Sequence, residues 1–178
     1  MFRLPRRRVK NPWRRVIYCL RGADGTIGSM KDKTRGYAHR IDLAADVQAI
    51  WRALTDPVLL TTWCSPKAQI RARPGGLFRA CVDRVTELEA HIDVFEPGRR
   101  MRLIYLPSTT LPPADSALID DFILEPDRAG GTILRLLGSG VPGTPQWDAQ
   151  YLRLRTGWQL AMTRLKALID GAARREGT

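Results

Sequence analysis

The sequence predicts an α+β fold of the helix-grip kind: a curved antiparallel sheet of about seven strands around a long C-terminal helix, with two short helices after the first strand. Three observations carry this expectation. Segments of period two fill the middle of the chain, one apolar stripe of helical period closes it, and no βαβ alternation links them.

The elements follow in order. HRIDLAA, from His39, alternates weakly and suits a first strand. Asp46 is placed to cap a short helix in which Val47, Ile50, Trp51 and Leu54 recur at helical spacing. Thr55-Asp56-Pro57 breaks it, and Pro57 can open a second helix, PVLLTTW, ending near Trp63. In GGLFRACV, Phe78, Ala80 and Val82 share a face. In TELEAHIDVF, Leu88, Ala90, Ile92 and Val94 alternate with Glu87, Glu89, His91 and Asp93. In RRMRLIYL, Met101, Leu103 and Tyr105 do the same. One wet and one covered face is the mark of an antiparallel sheet. Pro97-Gly98 is a turn, LPSTTLPPADS a proline-rich loop, LIDDFILEP a strand, Asp127–Gly131 a turn and TILRLLGSG the last strand.

The C-terminal stripe runs through Tyr151, Leu154, Trp158, Met162, Leu165 and Ile169. A start near Gln146 after Pro145 and a stop at Gly171 give a helix of roughly 25 residues, about 37 Å long. A straight helix laid on a curled sheet meets it along only part of its length, so space can remain at one end. The walls of such a cavity would be Phe78, Ile92, Met101, Leu103, Tyr105, Tyr151, Trp158 and Met162. The plainer reading of the same residues is packed core. The loop carrying Pro107, Pro112 and Pro113 could cover a cavity mouth or serve only as a connection.

Charge and composition bound the function. The net charge is +11, and residues 1–36 hold 11 Lys+Arg against Asp24 and Asp32, leaving +2 for residues 37–178. We read residues 1–36 as a basic, mobile extension, 37–172 as one domain and 173–178 as a tail. The extension could meet nucleic acid or an acidic membrane surface, be a solvated tail, or precede a true start at Met30; no nucleic-acid-binding motif favours the first of these. Cys19, Cys64 and Cys81 form no CxxC, and His39 and His91 stand outside any metal-ligand spacing, so neither a disulfide framework nor a metal is expected. No phosphate loop or dinucleotide fingerprint suggests a cofactor. No apolar run reaches the ~18 residues of a membrane span. In RRVIYCL the apolar part, Val16 to Leu20, is too short for a twin-arginine export signal, so a cytoplasmic location is expected.

Taken together, HRIDLAADVQAIWRALTDPVLLTTW, GGLFRA, VFEPGRRMRLIY, GGTILRLLGSG and GWQLAMTRLKALI resemble, in order, the landmarks of the family named for the activator of the heat-shock-protein-90 ATPase. That family lies within the START/SRPBCC helix-grip superfamily. The resemblance spans roughly residues 38 to 170. It implies a seven-stranded sheet around a C-terminal helix, with a cavity that in the wider superfamily binds lipids, sterols or polyketides. Some members are cyclases, aromatases or hydrolases. The family often carries a His-Ser-Gly pattern after the last strand; this chain has Gly138-Ser139-Gly140, so any role of that imidazole is missing.

Candidate catalytic groups are few. Asp120 and Asp121 point to opposite faces of a strand, and an inward Asp120 would have a raised pKa suited to a general base. The plainer reading is an aspartate at a wet strand end. Cys64 and Cys81 lack an activating partner. The expectation is therefore a non-catalytic binder of a small apolar or amphipathic molecule. Its polar contacts would come from Tyr105 or Tyr151. The alternatives are a cyclase- or hydrolase-like enzyme using Asp120, or an interaction module whose protein partner meets the Trp51/Trp63 helices or the basic extension.

Overall fold

The computed structural model describes residues 33–81 and 86–176. The expected extension, apart from residues 33–36, lies outside the described residues, as does the question of Met30. The elements are β1 (Thr34–Leu43), α1 (Val47–Thr55), α2 (Pro57–Trp63), β2 (Gln69–Ile70), β3 (Leu77–Cys81), β4 (Glu87–Glu96), β5 (Arg100–Tyr105), β6 (Ile119–Pro126), β7 (Thr132–Pro142), a single 3₁₀ turn (Pro145–Trp147) and α3 (Asp148–Glu176). The strands form one antiparallel sheet in the order β1-β7-β6-β5-β4-β3-β2. This is the α+β helix-grip arrangement, with α3 across one face of the sheet.

Local chemistry sets the helix boundaries. The Asp46 carboxylate accepts from the Ala49 amide at 2.8 Å and starts α1. Asp56 ends α1 through its own amide, which donates to Arg52 O. Its carboxylate then accepts from the amides of Val58 and Leu59 at 2.8 and 3.1 Å and starts α2. One aspartate thus satisfies orphan groups of two helices.

The sheet face toward α3 is built by alternate residues: Phe78 and Ala80, then Leu88, Ala90 and Ile92, then Met101, Leu103 and Tyr105, then Phe122 and Leu124, then Leu134 and Leu136, all buried. Leu154, Trp158, Ala161, Met162, Leu165 and Ile169 of α3 close on them. Arg164 reaches past this stripe. Its guanidinium donates to Trp63 O at 2.7 Å and Cys64 O at 2.8 Å, tying α3 to the C-terminal carbonyls of α2. Along the sheet edge, Tyr151 donates to Gly36 O at 3.2 Å and Lys166 to Asp42 O at 2.8 Å. These side chains occupy carbonyls that an open edge would offer to another strand.

Several expectations are corrected. β1 begins at Thr34 instead of His39, so residues 34–36 belong to the domain. The register of β4 shifts between Ile92 and Val94, so the alternation breaks. Phe95, not Val94, then turns to the core, with its ring 5.1 Å from that of Trp51. Such a bulge adds one residue and flips the parity beyond it. α3 runs through Gly171 to Glu176. Trp51 and Trp63 are buried, and the Trp63 indole donates to Ala53 O at 2.8 Å, so these indoles offer no partner surface. β2 was not anticipated: two residues carry no readable period.

Candidate functional site

Asp120 is wholly buried, which corrects the reading of a wet strand end. Its parity on β6 aims it at α3, where three donors converge. Tyr37 donates to Oδ1 at 2.7 Å; Tyr105 and the Trp158 indole donate to Oδ2 at 2.5 and 2.6 Å. An indole N–H can only donate, so a carboxylate or carbonyl oxygen is required opposite it. Three elements besides β6 are pinned at this one group: β1, β5 and α3.

The reach of Tyr37 depends on a glycine. Strands lie about 4.8 Å apart, and β7 stands between β1 and β6. Tyr37 and Asp120 are both in register with Gly138. A Cβ at 138 would overlap the Tyr37 ring. The missing side chain lets the phenol cross β7 and meet the carboxylate. Gly138 thus makes room for a tyrosine from the neighbouring strand.

The electrostatics follow from burial. Desolvation pushes the Asp120 carboxyl up to about 6, against the pull of its hydrogen bonds from Tyr105, Tyr37 and Trp158. Burial and the adjacent carboxylate hold the phenols of Tyr37 and Tyr105 well above their ordinary range. Burial also pushes the Cys64 thiol up to about 12, which keeps it from being a nucleophile. Across the sheet, Asp121 faces outward. Desolvation works to raise it, but hydrogen bonds from Arg100 and Arg102 prevail and hold it below the usual carboxylate range. The Arg100 contacts are 2.9 and 2.6 Å.

A partly open cavity of about 470 Å³ begins at the Tyr105 end of this cluster. The proline-rich loop between β5 and β6 supplies most of its wall, including Leu111, Pro112 and Pro113; Leu118 and Trp147 complete it. The Trp147 indole donates to Pro113 O at 3.1 Å, so the loop is fastened to the start of α3. The Tyr105 amide donates to Leu118 O at 3.0 Å and closes the base of the loop.

Of the residues expected to line a cavity, only Tyr105 lies on this wall. Phe78, Ile92, Met101, Leu103 and Met162 are buried core. Trp158 is engaged by the protein's own rings, Phe78 stacked at 6.4 Å and Phe122 edge-on at 5.2 Å. Tyr151 stands at the β1 edge, under the guanidinium of Arg35 at 4.7 Å. None of these seven lines the cavities of about 470, 290 and 250 Å³ bounded by described residues. Sequence reasoning missed Tyr37, Gly138 and Trp147. A period-two run from Tyr37 through His39 and Ile41 to Leu43 was the available signal for the first.

Among the described residues no group of three or more His, Cys, Asp or Glu is placed to hold a metal ion, and no helix is long and apolar enough to cross a membrane.

Comparisons with known proteins agree with this architecture. Protein MLL2253 from Mesorhizobium loti shares 25% identity at a TM-score of 0.65, covering 76% of this chain and 97% of its own. The Aha1 dimer from Colwellia psychrerythraea gives 18% and 0.64, with 76% and 96% covered. CalU16 from Micromonospora echinospora gives 24% and 0.59, with 78% and 76% covered. No curated protein matches closely enough to lend this chain a function. Residues 44–170 match the family described as Activator of Hsp90 ATPase homolog 1-like protein, and the chain belongs to that family.

Proposed function

We propose that this chain binds a small apolar or amphipathic molecule, lipid-like or polyketide-like, without catalysis. The helix-grip fold it shares with its family is one in which hydrophobic ligands are common. The observation that carries the reading is the cavity beneath the proline-rich loop. Its volume of about 470 Å³ falls within the ~300–1,000 Å³ of ligand pockets, and its wall is largely apolar with a few polar groups. The site therefore lies beside Tyr105 and Trp147, at the N-terminal end of α3, and not along Trp158.

The non-catalytic part of the reading rests on Asp120. Both of its oxygens are engaged by the protein's own donors and neither is exposed. A general base must come within about 3 Å of the proton it takes. No substrate atom reaches Asp120 without displacing a tyrosine or the Trp158 indole.

Native mass spectrometry of the purified protein and a thermal-shift panel of apolar compounds test the proposal together. The expected result is a co-purified molecule of lipid-like mass, or a Tm rise of roughly 5–10 °C at a hundredfold excess over Kd. Finding no co-purified molecule and no thermal shift with any compound of the panel refutes it.

A further inference from the structure

The hydrogen-bonding inventory of the cavity wall narrows the class of ligand. Every side-chain donor on that wall already has an acceptor in the protein. The Tyr105 hydroxyl donates to Asp120 at 2.5 Å, and the Trp147 indole to Pro113 O at 3.1 Å. The Ser116 hydroxyl donates to Gly140 O at 2.7 Å. The Ser108 hydroxyl is held by Thr110 Oγ1 at 2.9 Å and Glu87 O at 3.4 Å. Three wall residues, Pro107, Pro112 and Pro113, have no amide hydrogen. The Ser108 oxygen already accepts from the Thr110 amide at 3.1 Å, but each of these hydroxyls keeps a lone pair, and a phenol or alcohol that has given its proton can still accept. The wall's one charged residue is Asp115, which is exposed and negative.

We infer that this cavity selects an amphiphile whose polar group donates hydrogen bonds, a hydroxyl or a protonated amine, and discriminates against anions such as fatty-acid carboxylates. The inference rests on the binding reading above and sharpens it. A carboxylate entering here gives up water and finds no side-chain donor in return, beside the charges of Asp115 and buried Asp120. An alcohol or ammonium finds acceptors. The net charge of the whole chain, +11, works in the opposite direction, because non-specific adsorption to it would favour the anion. A preference for the donor is therefore a property of the site and not of the surface.

The test is calorimetry on the full chain at pH 7.5 with three ten-carbon probes: decylamine, 1-decanol and decanoate. The expected outcome is that decanol and decylamine bind and decanoate binds roughly tenfold more weakly or worse. Asp115→Asn, a change at an exposed position of the cavity wall, should weaken decylamine by roughly threefold relative to its effect on decanol. Decanoate binding as tightly as decanol overturns the inference while leaving the binding reading intact. An unaffected decylamine affinity in Asp115→Asn also overturns it, because the amine would then bind elsewhere. Failure of all three probes to bind removes both readings.

Discussion

Asp120 and Asp121 are chain neighbours on opposite faces of β6, and their environments drive them apart. Asp121 sits under two guanidiniums, 2.6 Å from Arg100 and 3.2 Å from Arg102, and its carboxyl is held low. Asp120 is sealed among neutral donors and its carboxyl is raised to about 6. The folded protein thus binds the Asp120 proton more tightly than the unfolded chain, where the carboxyl titrates near ~4. That contribution to stability is fully present below pH ~4 and is lost as pH rises through about 6; its size is on the order of 3 kcal/mol. Asp120→Asn keeps the shape and cannot ionise: its carbonyl can serve Tyr105 and Trp158 while Tyr37 turns to accept. In denaturant melts, wild-type stability relative to Asp120→Asn should therefore fall by about 3 kcal/mol between pH 4 and 7. A difference that stays flat across that window would mean the carboxyl is not buried as described. Gly138→Ala is a second residue-scale case. The added methyl overlaps the Tyr37 ring, so we expect a loss of roughly 1–3 kcal/mol and detachment of the phenol from Asp120, read in the ultraviolet titration as a tyrosine that ionises at lower pH, nearer its ordinary range. Parity alone aimed Asp120 inward in the sequence. What was not legible is why its burial is tolerated, because the donors come from β1, β5 and α3 and no local pattern joins residues 37, 105, 120, 138 and 158.

At the scale of elements, the short-range rules served well where the cause was local. Asp46, Asp56 and Pro57 set the boundaries of α1 and α2 through their own caps, and those are visible in six or seven residues of sequence. Rules applied one residue at a time failed where a tertiary neighbour or a backbone choice decided. Gly171 ends a helix only by taking a left-handed conformation, and here it has a helical one in open space, so α3 continues. The strict alternation of TELEAHIDVF hid a bulge, since Val94 and Phe95 are both apolar and either can face inward. Arg164 stands off the apolar stripe of α3. Its long side chain instead carries the α2–α3 connection. Arg164→Met keeps the length and removes both donors. It should cost about 1–3 kcal/mol in urea unfolding, because two carbonyls near the end of α2 lose their partner. A change within ~0.5 kcal/mol would show that water replaces the guanidinium without loss.

For the whole molecule, the fold was legible because its signals were global: strands of period two, one long stripe and no βαβ alternation between them. The hollow was legible only as a kind of place. A helix on a curled sheet implies unfilled space somewhere, but which end stays open depends on volumes that sequence does not give. Here the bulky rings of Phe78, Phe122 and Trp158 close the middle, and the proline-rich loop holds space open at the Tyr105 end. Four of the eight residues expected on the wall are aliphatic or thioether side chains packed with at most 1% exposure, which leaves them core in the ordinary sense. The two indoles that separate the alternatives are Trp147, on the loop cavity, and Trp158, in the sealed interface. Titration of ¹⁵N-labelled protein with 1-decanol, watching the indole N–H resonances, distinguishes them directly. We expect the Trp147 signal and the backbone amides of residues 105–118 to move while Trp158 stays in place; movement of Trp158 with Trp147 unchanged would contradict the location and the account built on it.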